Sequence, residues 1–110
     1  MRYAALIYGQ NAHAEQADRR GEFAREYLEL NDDARVVGGA QLHPVEMSTT
    51  VRVEDGEALL TDGPFIEAKE YLGGFYLLEA DDLDSAIELA TRIPAARIGG
   101  AVEIRPVVER

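Results

Sequence analysis

The chain has 110 residues, of which 46% are hydrophobic and 29% are charged, with a formal net charge of −10. These values are typical of one soluble globular domain over residues 1–110, and an acidic chain is not expected to bind nucleic acid or an anionic membrane. The absence of cysteine excludes disulfides and thiolate sites. No signal peptide and no membrane-spanning run is predicted, so we expect a cytoplasmic protein.

The first part of the chain predicts a strand, a helix and a second strand. Residues 2–8 (RYAALIY) are a short run of bulky apolar residues that fits a strand buried on both faces. Residues 35–45 (RVVGGAQLHPV) predict a second strand, interrupted at its Gly-Gly pair, where a bulge would fit. Between them, from about residue 14 to residue 33, a helix is predicted by one amphipathic stripe: Phe23, Tyr27, Leu30 and Ala34.

A β-hairpin is the clearest local feature of the sequence. In residues 49–61 (TTVRVEDGEALLT), apolar and polar residues alternate on the way to Asp55-Gly56, and the chain then returns. Asp-Gly between two such runs is the strongest short hairpin signature, because both central residues of a type I′ turn need a positive φ.

The last part of the chain repeats the strand–helix–strand order. Residues 71–80 (YLGGFYLLEA) and 101–108 (AVEIRPVV) predict strands. Residues 81–94 (DDLDSAIELATRIP) predict a helix, capped by Asp81 or Asp82 and stopped by its proline. Its apolar stripe is predicted to be Leu83, Ala86, Ile87, Ala90 and Ile93.

The order of these elements predicts the fold class. Two split βαβ units with a hairpin between them build an α+β fold of the ferredoxin-like type, with both helices on one face of the sheet. Two helices leave the other face partly bare. We therefore expect a homodimer, in which a second subunit covers that face.

The segment TDGPF (residues 61–65) contains the first candidate site residue, Asp62. Asp, Gly and Pro are turn formers, and an Asp side chain often bonds backbone N–H groups one or two residues further on, so a plain turn explains the segment. Alternatively, a rigid turn at a strand end holds the carboxylate toward a cleft. Desolvation there would raise its pKa and make it an acid or a base. The sequence leaves both interpretations open.

Four further residues are candidates, each with a structural alternative. Histidine is a common catalytic acid or base, so His43 suits proton transfer, although a lone His is commonly structural. Lys69 would neutralise a ligand anion or pair with Asp62, and Glu67 lies in the same mixed-charge segment, whose ordinary explanation is a solvated loop. Tyr8 at a strand end would orient a ligand through its phenol, although strand aromatics usually belong to the core.

No motif predicts a metal or a cofactor. The two histidines, His13 and His43, are thirty residues apart, and the acidic residues form no metal-ligand spacing with them. Phosphate-loop, dinucleotide and nucleophile-elbow motifs are absent as well. We expect a cofactor-free protein, and two functions fit it: an acid–base enzyme acting on a small molecule, or a non-catalytic binding or regulatory module.

Several segments together carry a family resemblance. The opening MRYAALIYG is followed by VVGGAQLHP, TTVR, DGPF, LGGF, ADDLDSA and IPAAR, and the chain closes on VEIRPV. On these segments, which run almost end to end, the chain resembles the YCII-related family, in the subgroup named DGPF after its motif. The resemblance implies a ferredoxin-like fold that dimerises through its sheets, as in the dimeric α+β barrels.

The resemblance also implies two kinds of function. In the broader family, a His and an Asp lie together in a suspected active-site cleft, which implies an enzyme. The subgroup is often encoded beside extracytoplasmic-function sigma factors, which implies an accessory or regulatory role. Asp62 matches the subgroup's defining Asp, and Glu67 and Lys69 lie in the matched segment. No catalytic role is transferred to His13, which stands in a loop where the subgroup is variable.

Overall fold

The computed structural model of the chain describes residues 1–9 and 22–109. The strands are β1 (Arg2–Gly9), β2 (Val36–Gln41), β3 (Thr49–Glu54), β4 (Glu57–Asp62), β5 (Tyr71–Glu79) and β6 (Ala101–Pro106). The helices are α1 (Glu22–Asn31) and α2 (Leu83–Thr91), and short 3-10 turns occur at Val45–Met47 and Pro94–Ala96.

Four strands form one antiparallel sheet, in the spatial order β2-β5-β1-β6. Helix α1 connects β1 to β2, and α2 connects β5 to β6, so each helix joins two strands that have another strand between them. This is the split βαβ arrangement. The architecture is mixed α+β and compatible with the predicted ferredoxin-like fold.

The core lies between one face of the sheet and the helices. Its buried apolar side chains include Tyr3, Ala5, Leu30, Tyr76, Leu78, Ala86, Leu89, Ala90 and Ile93. The prediction that β1 is buried on both faces holds for one face only. Ala4 and Leu6, which point the other way, are half-buried, because the helices cover only the face of Tyr3 and Ala5. We call the face of Ala4 and Leu6 the open face.

Helix α2 begins as predicted but turns a different side to the sheet. The Ser85 N–H donates to the Asp82 carboxylate at 2.9 Å, so Asp82 is the N-cap. Leu83 and Ile87 of the predicted stripe are 49% and 43% exposed, whereas Leu89, which that stripe omits, is fully buried. The helix has more apolar residues than the sheet covers, and tertiary docking decides which of them are buried.

Helix α1 is described from Glu22 onward, so the predicted start near residue 14 lies outside the described residues, as does His13. Within the helix, Leu30 is buried and Tyr27 is half-buried, as the predicted stripe requires. Ala34 comes after the end of the helix and is exposed.

The remaining two strands, β3 and β4, pair with each other and not with the main sheet. Asp55 and Gly56 connect them, with φ angles of 50° and 78°, which are the positive values that a type I′ turn needs. The register places Val51 opposite Leu60 and Val53 opposite Ala58.

Candidate functional site

A cavity of about 810 Å³ lies where α1 passes over the end of the sheet. Its walls come from the C-terminal end of β1, from α1, from β2 and the residues after it, from the first half of β5, and from the segment after α2. The volume is within the range of small-molecule sites, about 300–1,000 Å³. Among the described residues that line it, no side chain carries a charge.

The cavity exists because the strands beneath it have small residues. Gly38, Gly39 and Ala40 of β2 and Gly73 and Gly74 of β5 all line it. A Cβ at position 39 would lie 2.4 Å from the Phe75 carbonyl oxygen, and one at position 74 would lie 2.9 Å from the Ala40 carbonyl oxygen. The glycines therefore permit close approach of β2 to β5 and also leave space above the strands.

Tyrosines are the commonest polar residues in the lining of the cavity. Tyr27 of α1 and Tyr76 of β5 face each other, with ring centroids 6.4 Å apart. Burial raises the pKa of Tyr27, although the backbone of Ala95 acts in the opposite direction, and burial also raises the pKa of Tyr76. Both phenols therefore stay protonated at neutral pH and are able to donate hydrogen bonds to a ligand.

An ion pair holds one wall of the cavity in place. The Arg97 guanidinium donates to the Glu26 carboxylate, which links the segment after α2 to α1. Pro94, Ala95 and Ile98 of that segment line the cavity. The wall is thus attached to the helix that closes the other side.

The five residues predicted as site residues fall in different places. Tyr8 is half-buried and lines the cavity, next to the end of β1. The other four are exposed and lie outside the lining: Asp62, His43, Lys69 and Glu67. Within the described part of the chain, none of these four side chains makes a hydrogen bond or an ion pair, so no contact joins Asp62 to His43 or Lys69.

The TDGPF segment forms its turn without using the Asp62 carboxylate. The Gly63 N–H donates to the Ser48 carbonyl at 2.7 Å, and the Thr50 hydroxyl donates to the Gly63 carbonyl at 2.7 Å. The φ of Gly63 is 105°, which favours glycine there. The hydrogen bonds that close this turn therefore do not explain why an acid stands at position 62.

Five polar residues of the cavity are not among the site residues predicted from the sequence: Tyr27, Asn31, Gln41, Tyr71 and Tyr76. Tyr27 was assigned to the apolar stripe of α1. Asn31 and Gln41 are the last residues of α1 and β2, and polar residues at the ends of elements are the signal that would have indicated them. Their convergence depends on how α1 crosses the sheet, which no local pattern contains.

Residues 1–9 and 22–109 contain no group of three or more His, Asp or Glu residues that could hold a metal ion. In the same part of the chain, neither helix has the length and apolar character that crossing a membrane requires.

The fold and the cavity together define a small α+β protein with a tyrosine-bearing pocket beside its sheet, in which the described lining residues carry no charge. The family model described as the YCII-related domain matches residues 1–110, and the chain therefore belongs to the YCII-related family, as its sequence resemblance indicated. It is similar to the uncharacterized protein R00369 of Rhizobium meliloti (strain 1021), with 34% identity over 117 residues. That alignment covers 97% of this chain and 92% of the relative.

Proposed function

We propose that this protein binds a neutral, largely apolar small molecule in the cavity. The observation that carries the proposal is that no described residue of the lining is charged, in a chain of which 29% of the residues are charged. A charged ligand would lose its hydration there without gaining a counter-charge from the described residues, which is costly. A ring with a carbonyl or hydroxyl group would instead pack on the apolar walls and bond to the phenols of Tyr27 and Tyr76.

Thermal denaturation with matched probes tests this proposal. Acetophenone and coumarin should raise the melting temperature, whereas benzoate and benzylammonium should not. A neutral probe at about 100 times its Kd stabilises the native state by about 2.7 kcal/mol, or about 10 °C for a chain of this size. The Leu28→Asp variant should lose this shift, because Leu28 lines the cavity while being 63% exposed, so the variant should still fold.

The matched control is Leu83→Asp, at a leucine that is 49% exposed on α2 and lies outside the lining. This variant should keep the full shift with the neutral probes. Stabilisation by benzoate or benzylammonium alone, or equal shifts in Leu28→Asp and the wild type, would contradict binding of a neutral molecule in this cavity.

An acid–base reaction on the bound molecule is the more specific form of the proposal. Asp62 would act as the acid or base, with His43 or Tyr8 as its partner and Lys69 steadying negative charge. Because the Asp62 side chain is exposed, a ligand or a second subunit would have to cover it before it could act in a desolvated site. Glu67 would contribute to ligand contact from the same loop.

Asp62→Asn separates this role from a purely structural one. Since the carboxylate has no partner among the described residues, the free energy of unfolding in urea should change by less than about 0.5 kcal/mol. For any substrate that the wild type turns over, kcat should fall by about 100-fold or more, as expected for loss of an acid or base. Asp55→Asn, at the exposed tip of the hairpin, is the control and should leave kcat unchanged. Full turnover by Asp62→Asn would end the acid–base hypothesis.

We also propose a homodimer that forms through the open face of the sheet. Leu6 and Phe75 are opposite one another on this face, where Ala4 and Leu77 also form a pair. All four residues are half-buried within a single chain. A second copy would complete their burial, as the predicted dimer requires.

The charges on the open face are compatible with self-association. Arg2 contacts Glu79 at 3.3 Å, and Arg105 contacts Glu103 at 2.6 Å, so the flanking charges cancel in pairs. The chain as a whole has a net charge of −10, and two copies would repel each other across a surface that shared this excess. The open face lacks this excess of negative charge.

The second candidate function is a non-catalytic accessory module associated with an extracytoplasmic-function sigma factor in the cytoplasm. The observation in its favour is that Asp62, His43 and Lys69 all lie outside the cavity lining. In this form of the proposal, the cavity binds an effector and no reaction follows. A pull-down from the native host that recovers a sigma factor, and loses it when a cavity probe is added, would support the module.

A further inference from the structure

The hairpin of β3 and β4, residues 49–62, is an arm whose side chains are almost all exposed. Of its residues, Thr50 is half-buried and every other one is exposed. The exposed fractions of Val51, Val53 and Leu60 are 59%, 68% and 69%. A two-stranded hairpin is marginally stable by itself in water, so an arm of this kind gains most of its stability from a surface on which it packs.

The register of the arm separates its residues into two different faces. Val51, Val53, Ala58 and Leu60 share one face, because 51 pairs with 60 and 53 pairs with 58. Arg52, Glu54 and Glu57 point the other way, and there the Arg52 guanidinium lies 5.4 Å from the centroid of the Phe65 ring. One face of the arm is thus apolar and exposed, and the other is polar.

We infer that the apolar face of the arm packs on a second copy of this chain and extends the contact between the two open faces. The inference rests on the homodimer proposed above, and it adds a second contact that the sheets alone would not make. Residues of the apolar arm face carry no charge apart from Asp62 at its base, and the charges of the open face cancel in pairs. A chain with a net charge of −10 therefore presents two apolar surfaces with little net charge, and neither has a partner among the described residues.

This packing would give Asp62 an environment that one chain does not provide. Asp62 pairs with Thr49, and alternation places it on the same face as Leu60 and Val51. A second copy seated on that face would cover the carboxylate at the base of the arm. The partner would then contribute to the surroundings of the residue that defines the DGPF motif.

Two adjacent leucines provide a matched test. Leu60 lies on the apolar face of the arm, and Leu59 lies on the polar face, where it is 43% exposed. Sedimentation equilibrium of the full chain should show a dimer, and Leu60→Ser should raise its dissociation constant about tenfold or more through loss of apolar burial. Leu59→Ser should change it by less than about threefold, which is the contrast expected if only one arm face is in the interface.

A cross-linking experiment identifies directly which molecule the apolar face of the arm contacts. A photoreactive residue at position 60, in a mixture of ¹⁴N- and ¹⁵N-labelled chains, should form mixed-isotope cross-links, because the arm lies on the other copy. Cross-links confined to single-isotope chains would overturn the inference even if Leu60→Ser failed to fold.

The outcomes also separate the two proposals. A dimer whose dissociation constant is the same in wild type and Leu60→Ser would overturn the arm contact and leave the sheet contact standing. A dimer lost in Leu6→Asp but retained in weakened form in Leu60→Ser supports both contacts. The sheet contact and the arm contact would both be overturned if the wild-type chain sedimented as a monomer at a protein concentration 100 times that of a typical assay.

Discussion

Replacing Gly39 with alanine is expected to destabilise the protein by about 3 kcal/mol or more, because a steric clash adds to backbone strain. Its φ is 143°, which L side chains rarely adopt. The added Cβ would lie 2.4 Å from the Phe75 carbonyl oxygen and 3.0 Å from the Tyr76 Cα. Both neighbours are backbone atoms of β5, so β2 would have to move away from the strand with which it pairs.

The preceding glycine is the control. A Cβ at position 38 would meet only the Leu77 side chain, at 3.5 Å or more, which is ordinary van der Waals contact. Gly38→Ala should therefore change the free energy of unfolding by less than about 1 kcal/mol. Urea denaturation at one fixed protein concentration measures both variants. Equal stability of the two would show that β2 adapts to a side chain at position 39.

Asp33→Asn is expected to lower the free energy of unfolding by about 2–3 kcal/mol at pH 7, from the loss of charge-assisted hydrogen bonds. The Asp33 carboxylate accepts from the Arg35 Nη2 at 2.8 Å, from the Arg35 backbone N–H at 2.9 Å and from the Arg92 Nη2 at 2.7 Å. Arg35 also donates to the Ser85 carbonyl at 2.9 Å and contacts Glu88 at 2.8 Å. The cluster thus joins the loop before β2 to α2.

The pH dependence of this effect follows from the sign of the pKa shift. The hydrogen bonds from Arg35, assisted by Arg92, hold the pKa of Asp33 well below its usual range. A carboxyl whose pKa is lowered by folding contributes stability that is present above the unfolded pKa of about 3.9 and is lost as the pH falls toward the folded value. The difference between wild type and Asp33→Asn should therefore be constant above about pH 5 and shrink as the pH falls below about 4.

The neighbouring acid in the same loop is the control for this prediction. Asp32 is exposed, and its carboxylate has no partner among the described residues. Asp32→Asn should change stability by less than about 0.5 kcal/mol at any of these pH values. A pH-independent difference between wild type and Asp33→Asn would show that the carboxylate contributes by shape and not by charge.

The Asp33 cluster also shows what local sequence patterns omit. Arg92 is the C-cap of α2, where a basic residue in the local sequence indicates only that a helix ends. In the structure it reaches Asp33, which is 59 positions away in the chain. Nothing in the local pattern around either residue indicates the other, because the pairing exists only after α2 docks beside the loop that leads into β2.

Elements with strong periodicity or turn chemistry were predictable. The Asp55-Gly56 turn, the Asp82 cap and the six strands all follow from side-chain and backbone preferences that act within a few residues. The interruption of β2 was expected at Gly38-Gly39, and the register shifts between Val36 and Gly38. The prediction of which side of α2 packs on the sheet was wrong in part, because Leu83 and Ile87 are exposed.

The candidate site likewise has features that the local sequence predicts and features that it does not. The sequence by itself determined that Asp62 ends a strand at a rigid turn, that no recognisable metal-ligand spacing exists, and that the chain has the motifs of the YCII-related family. Only the tertiary structure decided that Tyr8, Tyr27 and Tyr76 line one cavity, whose described residues carry no charge, while Asp62 stays outside it. The physical reason is range: turns, caps and alternation depend on neighbours in the chain, whereas a cavity depends on how a helix crosses a sheet.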